Sequence, residues 1–344
     1  MDHSTYHLFV GVDIAAATFD ASWQTTAAPT PARTFPQTPA GFAQFQQALQ
    51  ASGIAPAATL VVMEATSSYW VTLAVELHAA GYHVSVVNPT QVHHYAKSLP
   101  RRSKTDALDA QVLTHFAAAR RPALWTPPPA VYHELRQRLV ARDGLLSMRQ
   151  QARNQLHALQ QWPVSVAGAQ QALAQVIATV DEQLHALEQE IAQVLAEGAW
   201  AAAATQLQSI PGIGLLTAAW ILVTTVKFTL CPTPEAAAHY AGLAPLERQS
   251  GTSVRGRPSI GHSGNGRLRT ALYLATLSAT QHNPVITTFY KHLRAAGKPM
   301  KVARCAAARK LLHLAFAVVT KEQLFDPSFK KLPSPVPIEL AIAA

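Results

Sequence analysis

Apolar and polar residues change their rhythm twice along this 344-residue chain. Near the N-terminus, HLFVGVD (7–13), TFDASWQ (18–24) and RTFPQ (33–37) are short apolar or alternating runs, and they predict three successive strands. GFAQFQQALQ (41–50) shifts to helical spacing. TLVVME (59–64) then predicts a buried strand, SYWVTLAVELHAA (68–80) a helix and HVSVVN (83–88) another strand. RRSKTDALDAQVL (101–113) begins a further helix, with Ser103 as its candidate N-cap. Three strands in a meander followed by alternating helices and strands predict a mixed sheet with helices on its faces.

Beyond RPALWTPPPA (121–130), which reads as a stiff linker, the rhythm becomes helical. Leu173, Ile177, Val180, Leu184, Leu187, Ile191 and Val194 alternate steps of four and three, a heptad seam. The preceding segment, 131–160, is helical too, but Arg142, Arg149 and Arg153 interrupt any strict seam, and WPVSVAG (162–168) separates the two. A helical hairpin is expected, with a seam that either packs on its own partner helix or dimerises the protein.

Candidate chemistry enters with the acids. In the predicted sheet the first and fourth strands run parallel side by side, and Asp13 closes one while Glu64 closes the other. Packing explains such acids poorly, because an unpaired buried charge is costly. Asp106 and Asp109, at i and i+3, share a helix face. Alone they would only answer the helix dipole. If that helix crosses the sheet at the two strand ends, four carboxylates converge, a set suited to Mg²⁺ or Mn²⁺. Paired ions could then clamp the oxygens of a phosphoryl transfer, with Arg101, Arg102 and Lys104 holding phosphates beside them. The order of elements is that of an RNase H-like fold.

Charge sharpens the picture. The net +9 is uneven: residues 1–100 carry 2 basic and 5 acidic side chains, 101–160 carry 10 and 4, 161–200 none and 5, and 201–344 carry 16 and 5. Two basic blocks around an acidic one favour a polyanion such as nucleic acid. The two cysteines, Cys231 and Cys305, form neither a disulfide framework nor a zinc motif and fit a reducing cytoplasm. Neither a signal peptide nor an apolar run of membrane-spanning length is evident.

The last region opens with LQSIPGIGLLTAAWIL (207–222), in which Pro211, Gly212, Ile213 and Gly214 between helical stretches have the form of a helix-hairpin-helix. Gly212 and Gly214 would let backbone N–H groups approach a phosphate; a plain tight turn reads equally well. From 248 to 269 there are five arginines (Arg248, Arg255, Arg257, Arg267, Arg269), five glycines and no acid. Ser250, Ser253, Ser259 and Ser263 lie among these guanidiniums, which could stabilise a transferring phosphoryl group. On physical grounds any of the four could be a nucleophile or only bind phosphate.

The Asp13, Glu64, Asp106, Asp109 set, the helical insertion, PGIG, and AGLAPLERQSG with its Gly/Arg-rich sequel together resemble the insertion-sequence 110 family of transposases, related to the Piv DNA invertases. The resemblance spans roughly residues 7–325. It implies a RuvC-like DEDD catalytic domain over 1–125, a helical coiled-coil hairpin over 126–200, a mostly α-helical transposase domain over 201–325 and a tail over 326–344. It further implies Mg²⁺ at the four carboxylates, Ser250 as the catalytic serine of its SG dipeptide, donor and target DNA as substrates, a structured bridge RNA as guide, dimers assembling to a tetramer, and a place in the bacterial cytoplasm at the nucleoid. Other readings of the same residues are a RuvC-like junction nuclease in which water attacks, a Piv-like site-specific invertase, and a non-catalytic nucleic-acid-binding protein.

Overall fold

Buried apolar strands alternate with amphipathic helices through the first third of the chain, and the rest is almost wholly helical. The computed structural model describes residues 6–25, 29–65, 67–99, 105–246, 249–250, 254–255, 259–261 and 263–328; of Asp106, Gln249, Ser250, Val254 and Arg255 it describes the backbone. Two compact units result, Met1–Pro127 and Pro128–Ala344.

The first unit runs β1 (Leu8–Ile14), β2 (Thr18–Gln24), β3 (Arg33–Pro36), α1 (Pro39–Gln50), β4 (Thr59–Glu64), α2 (Trp70–Ala79), β5 (His83–Val87), α3 (Pro89–Ser98) and α4 (Asp106–Arg120). The sheet order is β3-β2-β1-β4-β5. β1, β2 and β3 pair antiparallel, while β4 lies parallel between β1 and β5. This is the mixed sheet predicted from the strand rhythm. One face, with Val10, Val12, Phe19 and Met63, packs on Phe42, Phe45 and Leu49 of α1 and Leu73 and Leu77 of α2. The Phe45 ring lies edge-on to Phe19 and tilted against Phe35, with centroids 5.3 and 5.2 Å away, and each such fully buried aromatic stabilises the unit by about 1.5–3 kcal/mol. The other face, with Phe9, Leu60, Val62 and Val87, packs on Val92 of α3 and Val112, Leu113 and Phe116 of α4.

Three local expectations are corrected. Thr105, not Ser103, caps α4: its backbone is extended and its hydroxyl accepts from the Leu108 N–H at 3.3 Å. Helix α3 was not anticipated. The first half of the proline-rich segment is no linker, since Trp125 N–H donates to the Val84 carbonyl at 2.7 Å and Ser85 Oγ donates to the Ala123 carbonyl at 2.8 Å, fastening residues 123–125 along the edge strand β5.

The second unit opens with α5 (Ala130–Leu159) and α6 (Ala167–Glu197), followed by α7 (Ala201–Gln208), α8 (Leu215–Thr225), α9 (Pro234–Tyr240), a ribbon of β6 (Gln249–Ser250) and β7 (Val254–Arg255), α10 (Gly266–His282), α11 (Pro284–Ala295) and α12 (Met300–Thr320). α5 and α6 form the expected antiparallel hairpin, with Val180, Leu184 and Ile191 of the seam buried. The arginines that break the seam on α5 reach the acids of α6: Arg142 meets Glu188 at 2.6 Å, and Arg149 and Arg153 share Asp181. The basic and acidic blocks of the sequence meet here. At its base the hairpin contributes Leu135, Leu139, Ile191 and Leu195 to a core shared with Leu207, Ile221, Leu272 and Leu311 of the later helices.

Candidate active site

Alternation along a strand sends successive side chains to opposite faces. Phe9 packs on the α4 side of the sheet, so Gly11 and Asp13 belong to that side too. By the same count Leu60, Val62 and Glu64 of β4 share it. The β1–β4 register ends at Val12↔Met63, one residue short of Asp13 and Glu64, which therefore close neighbouring strands side by side. On the opposite flank Asp13 pairs with Asp20 of β2, whose carboxylate accepts a hydrogen bond from the Thr34 hydroxyl. Three acids thus stand in a row across three strands.

Helix α4 crosses this face at Gly11. A Cβ there would lie 2.2 Å from the Thr114 nitrogen and 2.3 Å from the Ala110 carbonyl oxygen, so the contact is backbone against backbone and requires glycine. The Thr114 hydroxyl locks the crossing: it accepts from the Gly11 N–H at 3.1 Å and has the Ser22 and Ala110 carbonyls at 2.9 Å. Asp109 directly precedes Ala110, and the Asp106 backbone begins the helix one turn earlier. Glu64 and Asp109 consequently open on one cleft of about 670 Å³, together with Thr90, His93 and Lys97 of α3. Sequence reasoning missed α3 and Asp20. The signal for α3 was Asn88-Pro89, an N-cap followed by proline at the first helical position; for Asp20 it was the cross-strand register.

Carboxylate oxygens facing one cleft have the donor chemistry of a hard divalent cation. Among the described side chains, no three of His, Cys, Asp and Glu gather closely enough to hold one. The Asp106 side chain is outside the described residues, as are Arg101, Arg102, Lys104, Arg248 and Arg257 and the side chains of Ser250 and Arg255.

In the second unit, Ser250 takes the last pairing position of the β6–β7 ribbon, opposite Val254, and a bridge between Leu246 and Ser259 continues the pairing. Ser253 lies outside the described residues. Arg267 ion-pairs with Asp143 of α5 and lies over the Trp220 ring at 4.6 Å. Arg269 donates to the Ser263 carbonyl at 3.0 Å and fills the space beside Gly242. Both arginines are thus engaged inside the unit. Gly212, with φ at +103°, abuts α10, where an added Cβ would lie 2.5 Å from that of Ala279. Close helix packing accounts for that glycine. Gly214 instead has open space around it and begins α8 with no side-chain cap. Burial pushes the Cys231 thiol up to about 11, so it is protonated at neutral pH and unsuited to be a nucleophile.

Two family models match the chain. The DEDD-type IS110 model, described as Transposase, matches residues 10–161, and the model described as Transposase IS116/IS110/IS902 family matches residues 204–291. The pilin gene-inverting proteins of Moraxella lacunata and Moraxella bovis are each 32% identical over 335 residues, covering 92% of this chain and 97% of their own length. The insertion element IS110 uncharacterized 43.6 kDa protein of Streptomyces coelicolor is 36% identical over 169 residues, 49% of this chain and 40% of that protein. Among the described residues no helix is long and apolar enough to cross a membrane. With two family models matched in succession along the chain and relatives matched along nearly their whole length, the chain belongs to the IS110 family of transposases and is a DNA-recombining enzyme.

Proposed function

We propose that the first unit is an RNase H-like, RuvC-type phosphoryl-transfer domain acting at the cleft of Glu64 and Asp109, and that Ser250 supplies the nucleophile. The observation that carries this is the row Asp20, Asp13, Glu64 on adjacent strands, beside a helix whose backbone contact at Gly11 brings Asp109 to the same face. Asp13, Glu64, Asp106 and Asp109 would hold Mg²⁺ or Mn²⁺, which when bound supplies Lewis-acid stabilisation of charge developing on a phosphate. The chain's own part is to fix those carboxylates on a sheet and a helix rather than on loops.

In the proposed reaction the Ser250 oxygen bonds to phosphorus, the bond from phosphorus to one DNA oxygen breaks, and that oxygen departs with a proton. The phosphoserine conserves the bond energy until a hydroxyl of the partner strand attacks phosphorus and releases the serine. No ATP is needed. The curated relatives are named for inverting a pilin gene, and reciprocal strand exchange of this kind is the chemistry that inversion and transposition share. By family resemblance the guide is a structured bridge RNA, and the working assembly is a dimer that associates to a tetramer. Gly214 at the bare start of α8 is proposed as a phosphate contact; Arg101, Arg102, Lys104, Arg248, Arg255 and Arg257 are proposed to hold the nucleic-acid backbone.

The test uses the full chain with guide RNA and DNA in Mg²⁺. Asp109→Ala should fold with an unchanged melting temperature and cleave nothing. Ser250→Ala should still bind DNA, since one hydroxyl contributes about 1 kcal/mol of hydrogen bonding, but should lose the covalent protein–DNA adduct. Recombination by Ser250→Ala at the normal rate, or an adduct mapping to Ser253 or Ser259, overturns the serine assignment.

A further inference from the structure

Helix α3 has two polar stripes and a cleft on each side. Thr90, His93 and Lys97, at helical spacing, line the cleft of Glu64 and Asp109. Gln91, His94, Tyr95 and Ser98, at i, i+3, i+4 and i+7, line a second cleft of about 810 Å³, floored by β5 and bounded by Asn88 and by Arg120 of α4. The Arg120 guanidinium sits 6.0 Å from the centre of the Tyr95 ring, which itself packs edge-on against Phe116 at 5.2 Å. Among the described residues no acid lines this second cleft. Only Val92 of α3 is buried, so the helix is exposed along most of its length.

We infer that the second cleft binds an unpaired DNA strand, the continuation of the strand whose phosphate lies at the carboxylates, with α3 as the ridge it crosses. The inference rests on the proposed reading of the carboxylate cleft. An aromatic ring, an imidazole and a guanidinium offer stacking faces that only unstacked bases can use. Asn88 and Gln91 carry amides able to meet base edges, and Arg120 offers a cation for the backbone. A duplex keeps its base faces covered and gains only the charge. Lys97 and His93, on the opposite stripe, then contact the phosphates nearest the carboxylates as positioning residues.

The experiment is photocrosslinking of the full-length protein to DNA carrying 5-iododeoxyuridine in a short unpaired segment, with the fully paired duplex and an RNA strand of the same sequence as parallel arms. Crosslinks from the unpaired DNA should map to His94 or Tyr95, with yield about tenfold above the duplex. Arg120→Ala combined with Gln91→Ala should lower that yield several-fold at an unchanged melting temperature. Absence of crosslinks on α3, equal yield from the duplex, or preference for the RNA strand overturns the proposal. Running the same arms with Asp109→Asn separates this idea from the catalytic one. A crosslink retained in that variant supports the strand path whether or not cleavage is lost, whereas normal cleavage without any α3 crosslink overturns the path and leaves the catalytic reading standing.

Discussion

Helices α4 and α6 are each held along one face by a partner, and the means are opposite. α4 meets β1 backbone to backbone at Gly11, with one buried hydroxyl tying three strand and helix groups together. Toward the far end of the hairpin, α6 lies along α5 through long side chains that pair at the surface, Arg149 and Arg153 with Asp181. A backbone contact has one possible depth and register. Pairs of long side chains tolerate shifts of an ångström or more, are screened by salt and contribute little each. The acid proposed to handle the phosphate stands on the helix of the first kind.

The strongest way to break this contrast is at Gly11. In Gly11→Ala the new methyl meets the Thr114 nitrogen and the Ala110 carbonyl, and neither can rotate away. We expect a loss of about 3 kcal/mol or more in the stability of the first unit, seen as a lower calorimetric transition, together with loss of cleavage. An unchanged melt would show that α4 is free to lift and that the contact does not set its position. Thr114→Val keeps the shape and removes the hydroxyl, leaving the buried Gly11 N–H without its acceptor. Its expected cost is about 1–3 kcal/mol, read by denaturant unfolding. A neutral result there would place the anchoring in packing alone.

The smallest effect is expected in the hairpin. A hydrogen bond from Arg149, aided by the charges of Arg149 and Arg153, holds the Asp181 carboxyl below its ordinary value of 3.8. A depressed carboxylate contributes stability above its unfolded value, and that contribution is lost as the pH falls through the lower folded value. Helicity of the hairpin by circular dichroism should therefore decline slightly as the pH falls from about 4, more so at low salt, and Asp181→Asn should abolish that component. An identical acid response in the variant would remove the ion pair from the account.

Much of the first unit could be read from rhythm alone, because β1 and β4 are buried runs and α1 and α2 have apolar faces. The acids Asp13 and Glu64 were legible as polar ends on apolar strands. The Gly11 contact was not read, although a glycine inside a strand is the local sign of a close backbone approach. Helix α3 has only a thin apolar stripe, Val92, Tyr95, Ala96 and Leu99 among polar neighbours, with Val92 alone buried, and it was passed over, so the residues facing Asp109 across the cleft stayed hidden with it. The arginines of α5 were visible as interruptions, but their meaning required the acidic block some 30–50 residues later to fold back beside them. Arg267 and Arg269 read as guanidiniums for phosphate; their partners Asp143 and the Ser263 carbonyl were not legible, because the sequence shows neither as a neighbour.

The strap of residues 123–125 on β5 also bears on how the N-terminal unit can be made. As the chain leaves the ribosome, the outer edge of β5 stays bare until Trp125 emerges, well after the last strand of the sheet has been synthesised. An exposed edge is a template for pairing with another copy. A recombinant fragment ending at the close of α4 would carry that edge permanently, whereas one extended through Trp125 brings its own cover. The sensible cut for isolating this unit therefore lies past the tryptophan, within the prolines that follow it.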